Sequence, residues 1–93
     1  MSTSLGETER RRLFWRARRG LLENDLILER FLRQEGDTLD RRAAAALEHL
    51  LDLGDDELLD LLLGRAEPRA PLDTEDVRTL LARLRRVTAR QAN

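Results

Sequence analysis

Apolar residues recur along the chain three or four positions apart, and glycines and capping residues divide them into five helical segments. The first is expected from about Glu7 to Arg19, with Gly20 just past its end and Arg18 and Arg19 against the negative end of its dipole. The second is expected to begin at Asn24 or Asp25, both good caps. Its Ile27/Phe31 and Leu28/Leu32 pairs share a face before Glu35 to Asp37 end it. After Asp37 or Thr38, the residues Leu39, Ala43, Ala46, Leu47 and Leu50 mark a third helix that Gly54 stops. Asp55, Asp56 and Glu57 then open a short fourth helix that Gly64 terminates. Leu58, Leu59, Leu61, Leu62 and Leu63 cover nearly its whole circumference, which predicts a central position. Glu67 to Pro71 reads as an extended connection. A fifth helix, capped by Asp73 or Thr74, turns Val77, Leu80, Leu81, Leu84 and Val87 inward. Nothing alternates with period two for long enough to make a strand. The pattern predicts an all-α, compact five-helix bundle forming a single domain over residues 1–93, with flexible ends at 1–6 and 89–93.

Composition sharpens this picture. The 93 residues include no cysteine, so neither disulfides nor thiolate metal sites can staple the fold, and stability must come from packed leucines. The absence of Cys suits a reducing compartment. Every one of the 17 basic side chains is Arg, and the formal net charge of −1 argues against a protein that wraps nucleic acid as a whole. The charge is unevenly spread, with arginines crowded between Arg10 and Arg19 and acids between Asp52 and Asp60. No apolar run approaches the ~20 residues needed to span a bilayer. Glu7 and Glu9 precede the arginines, unlike a transit peptide, so a mature cytoplasmic protein is expected.

At about 100° per residue, the first helix has two sides. Leu13, Phe14 and Ala17 cluster on one, continued by Leu21 if the helix runs on. Arg12, Trp15, Arg16 and Arg19 lie roughly opposite. The only Trp thus falls among arginines. Either another helix or the arginine stems cover it, or it is a contact site, since Trp and Arg are the types most enriched at binding hot spots. Arg19 and Glu23 pose the same choice. They can be ordinary helix punctuation, or an ion pair contributing ~0–1 kcal/mol at a surface. With Gly20 between them they also offer a planar cation, a bare backbone and a carboxylate to another protein.

The stretch "RLFWRARRGLLENDLIL" resembles the Arg-Gly-x-x-Glu signature region of the SdhE family, whose mitochondrial counterpart is Sdh5. "LLDLGDDELLDLLLGRAEP" continues the likeness, which covers about Arg10 to Pro68. The motif falls on Arg19, Gly20 and Glu23, with Arg12, Trp15 and Asp25 as flanking members of a partner-binding surface. Leu21 stands where the family often has Met, and Leu61 where it commonly has an aromatic; both exchanges keep the position hydrophobic. The resemblance implies a five-helix assembly factor, not an enzyme, that binds the flavoprotein subunit of succinate dehydrogenase or fumarate reductase. It would promote covalent attachment of FAD to a histidine of that subunit. The FAD would belong to the client and would not be bound tightly by this chain, and the free protein is expected to be a monomer.

The residues themselves offer little equipment for chemistry. His49, the only histidine, sits in a Leu-rich helix with no Cys or second His, so neither a metal site nor a catalytic residue is expected there. There is no phosphate-cradling Gly-rich loop. Two other readings remain at this point: a nucleic-acid-binding helical module using the Arg-rich first helix, and a leucine-driven self-associating scaffold.

Overall fold

The structure, a computed structural model, describes residues 5–18, 20 and 22–91. Arg19, Leu21 and parts of the expected flexible ends (1–4 and 92–93) lie outside the described residues. Five α-helices follow in order: α1 (Glu7–Arg16), α2 (Leu22–Glu35), α3 (Arg41–Leu51), α4 (Asp55–Leu62) and α5 (Glu75–Gln91). A single 3-10 turn, Gly36–Thr38, joins α2 to α3. Among the described residues there is no β-strand, and no helix is long and apolar enough to cross a membrane.

The boundaries have local causes. The Glu9 carboxylate accepts from the Gly6 N–H at 3.2 Å and so closes the first turn of α1. That helix stops at Arg16, short of the expected Arg19. The Ala17 N–H still reaches Leu13 O at 2.9 Å, but the Arg18 N–H turns to the nearer Trp15 O at 3.1 Å, tightening the last turn. The second helix starts at Leu22, before Asn24, so Asn24 is not its cap. Its side chain is completely buried, and its Nδ2 donates to Asp55 O at 3.0 Å, tying α2 to the start of α4. A fixed carbonyl across the core wins over a local capping bond.

Asp37 and Thr38 likewise form the 3-10 turn and do not open α3. Asp40 caps that helix, its Oδ1 accepting from the Ala43 N–H at 2.8 Å. In α4 only Leu58, Leu61 and Leu62 are buried, while Leu63 reaches the surface. One face packs, against α2 and α5, and the helix is not enclosed all round. Its end is a Schellman turn: Gly64 at φ +76 lets its N–H reach Leu61 O at 3.2 Å and the Arg65 N–H reach Asp60 O at 2.8 Å. Thr74 caps α5 by accepting from the Val77 N–H at 3.2 Å.

The core forms where α2 and α3 pack against α5, with α4 filling the remaining side. Leu28, Phe31, Leu47, Leu50, Leu80 and Leu84 are fully buried there, each leucine contributing about 1.5–3 kcal/mol by leaving water. By contrast α1 rests on α3 and gives the core only Leu13, with Ala17 just beyond its end. Phe14, expected beside them, is only half-buried.

Candidate functional site

The bend between α1 and α2 is where the candidate residues gather. Trp15, near the end of α1, leaves 69% of its surface exposed, so no other helix covers it. The Arg18 guanidinium carbon lies 6.0 Å from its ring centroid, a cation–π contact that braces one face of the indole without hiding it. Gly20 follows at φ +95, a left-handed conformation that an L side chain rarely adopts. Apart from its two chain neighbours, no described atom comes within 4 Å of where its Cβ would stand. The glycine is therefore required by the backbone angle, and the space above it is open.

The second helix completes the corner. The Gly20 N–H donates to Asp25 Oδ2 at 3.1 Å, so Asp25 reaches back across the first turn of α2 and closes the bend. Glu23 is exposed and makes no ion pair with any described residue. Between these two acids, buried Asn24 anchors the turn to Asp55. Arg12 is exposed one turn before Arg16, at the edge of a shallow groove of roughly 200 Å³ between α1 and α3, where Leu5, Glu9, Arg41, Ala44 and Glu48 also lie. Trp15, Gly20, Glu23 and Asp25 thus belong to one bend, with Arg12 on the adjoining turn of α1. Arg19 lies outside the described residues.

Two exposed leucines beside this bend were not read from the sequence. Leu22 is 68% exposed and Leu26 41% exposed, one turn apart on α2. At 100° per residue they point away from the face carrying Asn24, Leu28 and Phe31. The signal was present: α2 has more leucines than one buried stripe can use, and this pair falls on its polar side. Arg18, read only as a dipole partner, also acts as the support of Trp15.

The remaining arginines of α1 are engaged inside the molecule. Arg10 pairs with Asp37, Arg11 with Glu7 at 3.1 Å, and Arg16 with both Glu48 and Asp52. Hydrogen bonding to Asp52, reinforced by the charge of Glu48, raises the Arg16 pKa above its ordinary value despite some desolvation. Arg16 joins the basic stretch to the acidic one, at Asp52, and together these pairings occupy much of the phosphate-binding face that a nucleic-acid module would need. His49 is exposed near the end of α3, and among the described residues no cluster of His, Asp or Glu is arranged to hold a metal.

Comparison with known proteins adds to this geometry. Residues 11–88 match the Sdh5 family model, described as "Flavinator of succinate dehydrogenase". The FAD assembly factor SdhE of Ralstonia nicotianae is 51% identical over 78 residues, covering 84% of this chain and 82% of that protein. The SdhE of Legionella pneumophila strain Lens is 41% identical over 64 residues, 69% of this chain and 81% of its own. That of Pseudomonas aeruginosa is 35% identical over 78 residues, 84% and 93% respectively. No solved structure matches the chain.

Proposed function

The chain belongs to the Sdh5 family, the flavinators of succinate dehydrogenase, and on that ground we propose that it binds the flavoprotein subunit of that enzyme and promotes covalent attachment of FAD to it. The observation that carries the site assignment is the open corner at Gly20, where an exposed Trp15 and a Glu23 that pairs with no described residue flank a bare backbone. Arg12, Trp15, Arg19, Gly20, Glu23 and Asp25 form the partner-binding surface. Glu23 and Arg19 make charge-assisted hydrogen bonds to the client, and Gly20 admits close backbone contact. Asp25 holds the bend in shape through the Gly20 N–H.

In this reading the chain is not itself an enzyme, and FAD belongs to the client. Docking favours the client conformation in which its acceptor histidine and the flavin are held in reacting geometry, a proximity effect. The flavoprotein subunit of fumarate reductase is a second client of the same kind. The free protein works as a cytoplasmic monomer. Co-expression of the client with Glu23→Ala or Arg19→Ala, each checked for folding by circular dichroism, is the test. Covalent flavin on the client is expected to fall at least tenfold. Undiminished flavin with both variants would remove these residues from the mechanism.

A further inference from the structure

We propose that the outward face of α2, Leu22 and Leu26 beside the corner, is the apolar half of the surface that captures the immature flavoprotein, with Glu23 on its polar half. This rests on the reading above and adds an apolar half to its polar corner. Leu22 and Leu26 are among the few large apolar side chains that the fold leaves exposed, and they stand one turn apart on a single helix face. Both turn away from the core stripe of α2, so packing within this molecule does not explain them. Trp15, on the α1 side of the bend, is another large apolar side chain left exposed. At its far end the face is closed by the Glu29–Arg33 ion pair at 2.6 Å. The result is a short apolar ridge inside a charged border, the anatomy of a protein-binding patch.

Three occupants are conceivable, and the observations favour one. Covering these three side chains would bury on the order of 300 Å², well short of the ~800 Å² per partner of a stable self-associated interface. A membrane surface is disfavoured because Glu23 borders the ridge with no counter-ion among the described residues, and anionic headgroups would repel it. A folded protein partner fits. It would present an apolar patch, with a carboxylate opposite Arg12 or Arg18 and a cation or N–H donors opposite Glu23. A client larger than this chain can extend the contact over the whole corner.

The experiment compares Leu22→Ser/Leu26→Ser with Glu23→Gln in the full chain, against the flavin-free flavoprotein subunit. Both leucines are exposed, so the double variant should melt as the parent does; Leu22→Asn alone serves if it does not. Calorimetry is expected to show client affinity weakened about tenfold or more by the serine pair. Its covalent-flavin yield should be restored by raising the concentration of the variant. Glu23→Gln should also lose affinity and yield, because it weakens the charge-assisted hydrogen bonds of the polar half. Parental affinity and yield for the leucine variants, with Glu23→Gln still defective, would overturn the ridge and leave the corner reading intact. If Glu23→Gln were also unimpaired, both would fall. A dimer in sedimentation that the serine pair disperses would overturn the choice of occupant.

Discussion

Two glycines in this molecule adopt left-handed backbone angles, Gly20 at φ +95 and Gly64 at φ +76, and their surroundings differ completely. Gly64 ends α4 beneath Arg85. The Arg85 Nε donates to Leu61 O at 2.9 Å and its guanidinium reaches Ala66 O at 3.0 Å and Glu67 at 3.3 Å. The loose carbonyls of that helix end are satisfied from within, and Arg85 Nε stands 3.8 Å from the glycine's missing Cβ. Gly20 has no such cover; its neighbours are an exposed indole and a carboxylate without a counter-ion among the described residues. The same backbone device closes a structure in one place and leaves a surface in the other. Openness, not the glycine itself, distinguishes the proposed docking corner.

Substitutions should separate the two regions, and the largest contrast involves side chains. Arg85→Ala strips charged hydrogen bonds from two carbonyls and is expected to cost about 2–3 kcal/mol in urea unfolding. Flavinylation by the fraction that remains folded should be normal. Trp15→Ala should do the reverse, moving stability by less than about 0.5 kcal/mol while lowering covalent flavin on the client at least tenfold. An equal loss of stability from both would erase the distinction between the corners.

Next in size are the glycines. Gly20→Ala and Gly64→Ala each force a Cβ into a left-handed backbone and should cost a similar ~1–2 kcal/mol. Only Gly20→Ala is expected to reduce flavinylation when compared at equal folded concentration. A matched loss of function from Gly64→Ala would show that both act through stability alone.

These contrasts also show what could be read from the chain itself. The five helices, the Thr74 cap and the inward Val77, Leu80, Leu81, Leu84 and Val87 were legible because periodicity and capping are local. The family was legible from the resemblance, and the match over residues 11–88 bears it out. Asn24 was misread because its partner, Asp55 O, comes from another helix and nothing local announces it. The early end of α1 and the half-buried Phe14 follow from how that helix rests on α3. Leu22 and Leu26 were passed over because an extra leucine looks like more core until the burial of its helix face is known.

The smallest expected effect concerns the attachment of α1. Arg16 grips Glu48 on α3 and Asp52 at its end, but all three side chains are more than a third exposed, so Arg16→Ala should cost only about 0.5–1 kcal/mol. Its guanidinium pKa is raised, so the contribution is fully present below the unfolded-state value and is lost only in strong alkali. Salt, not neutral-range pH, should weaken it. The gap between parent and variant in thermal melts should narrow between low salt and about 1 M salt.

Photo-crosslinking tests the docking surface most directly. A benzophenone amino acid replaces Trp15 in one sample and Glu67, beside Arg85, in another, and each is illuminated with the flavin-free flavoprotein subunit. Docking by the open corner predicts a covalent adduct from position 15 and none from position 67. An adduct from position 67 with position 15 silent would place the client on the closed end of the bundle and contradict the assignment.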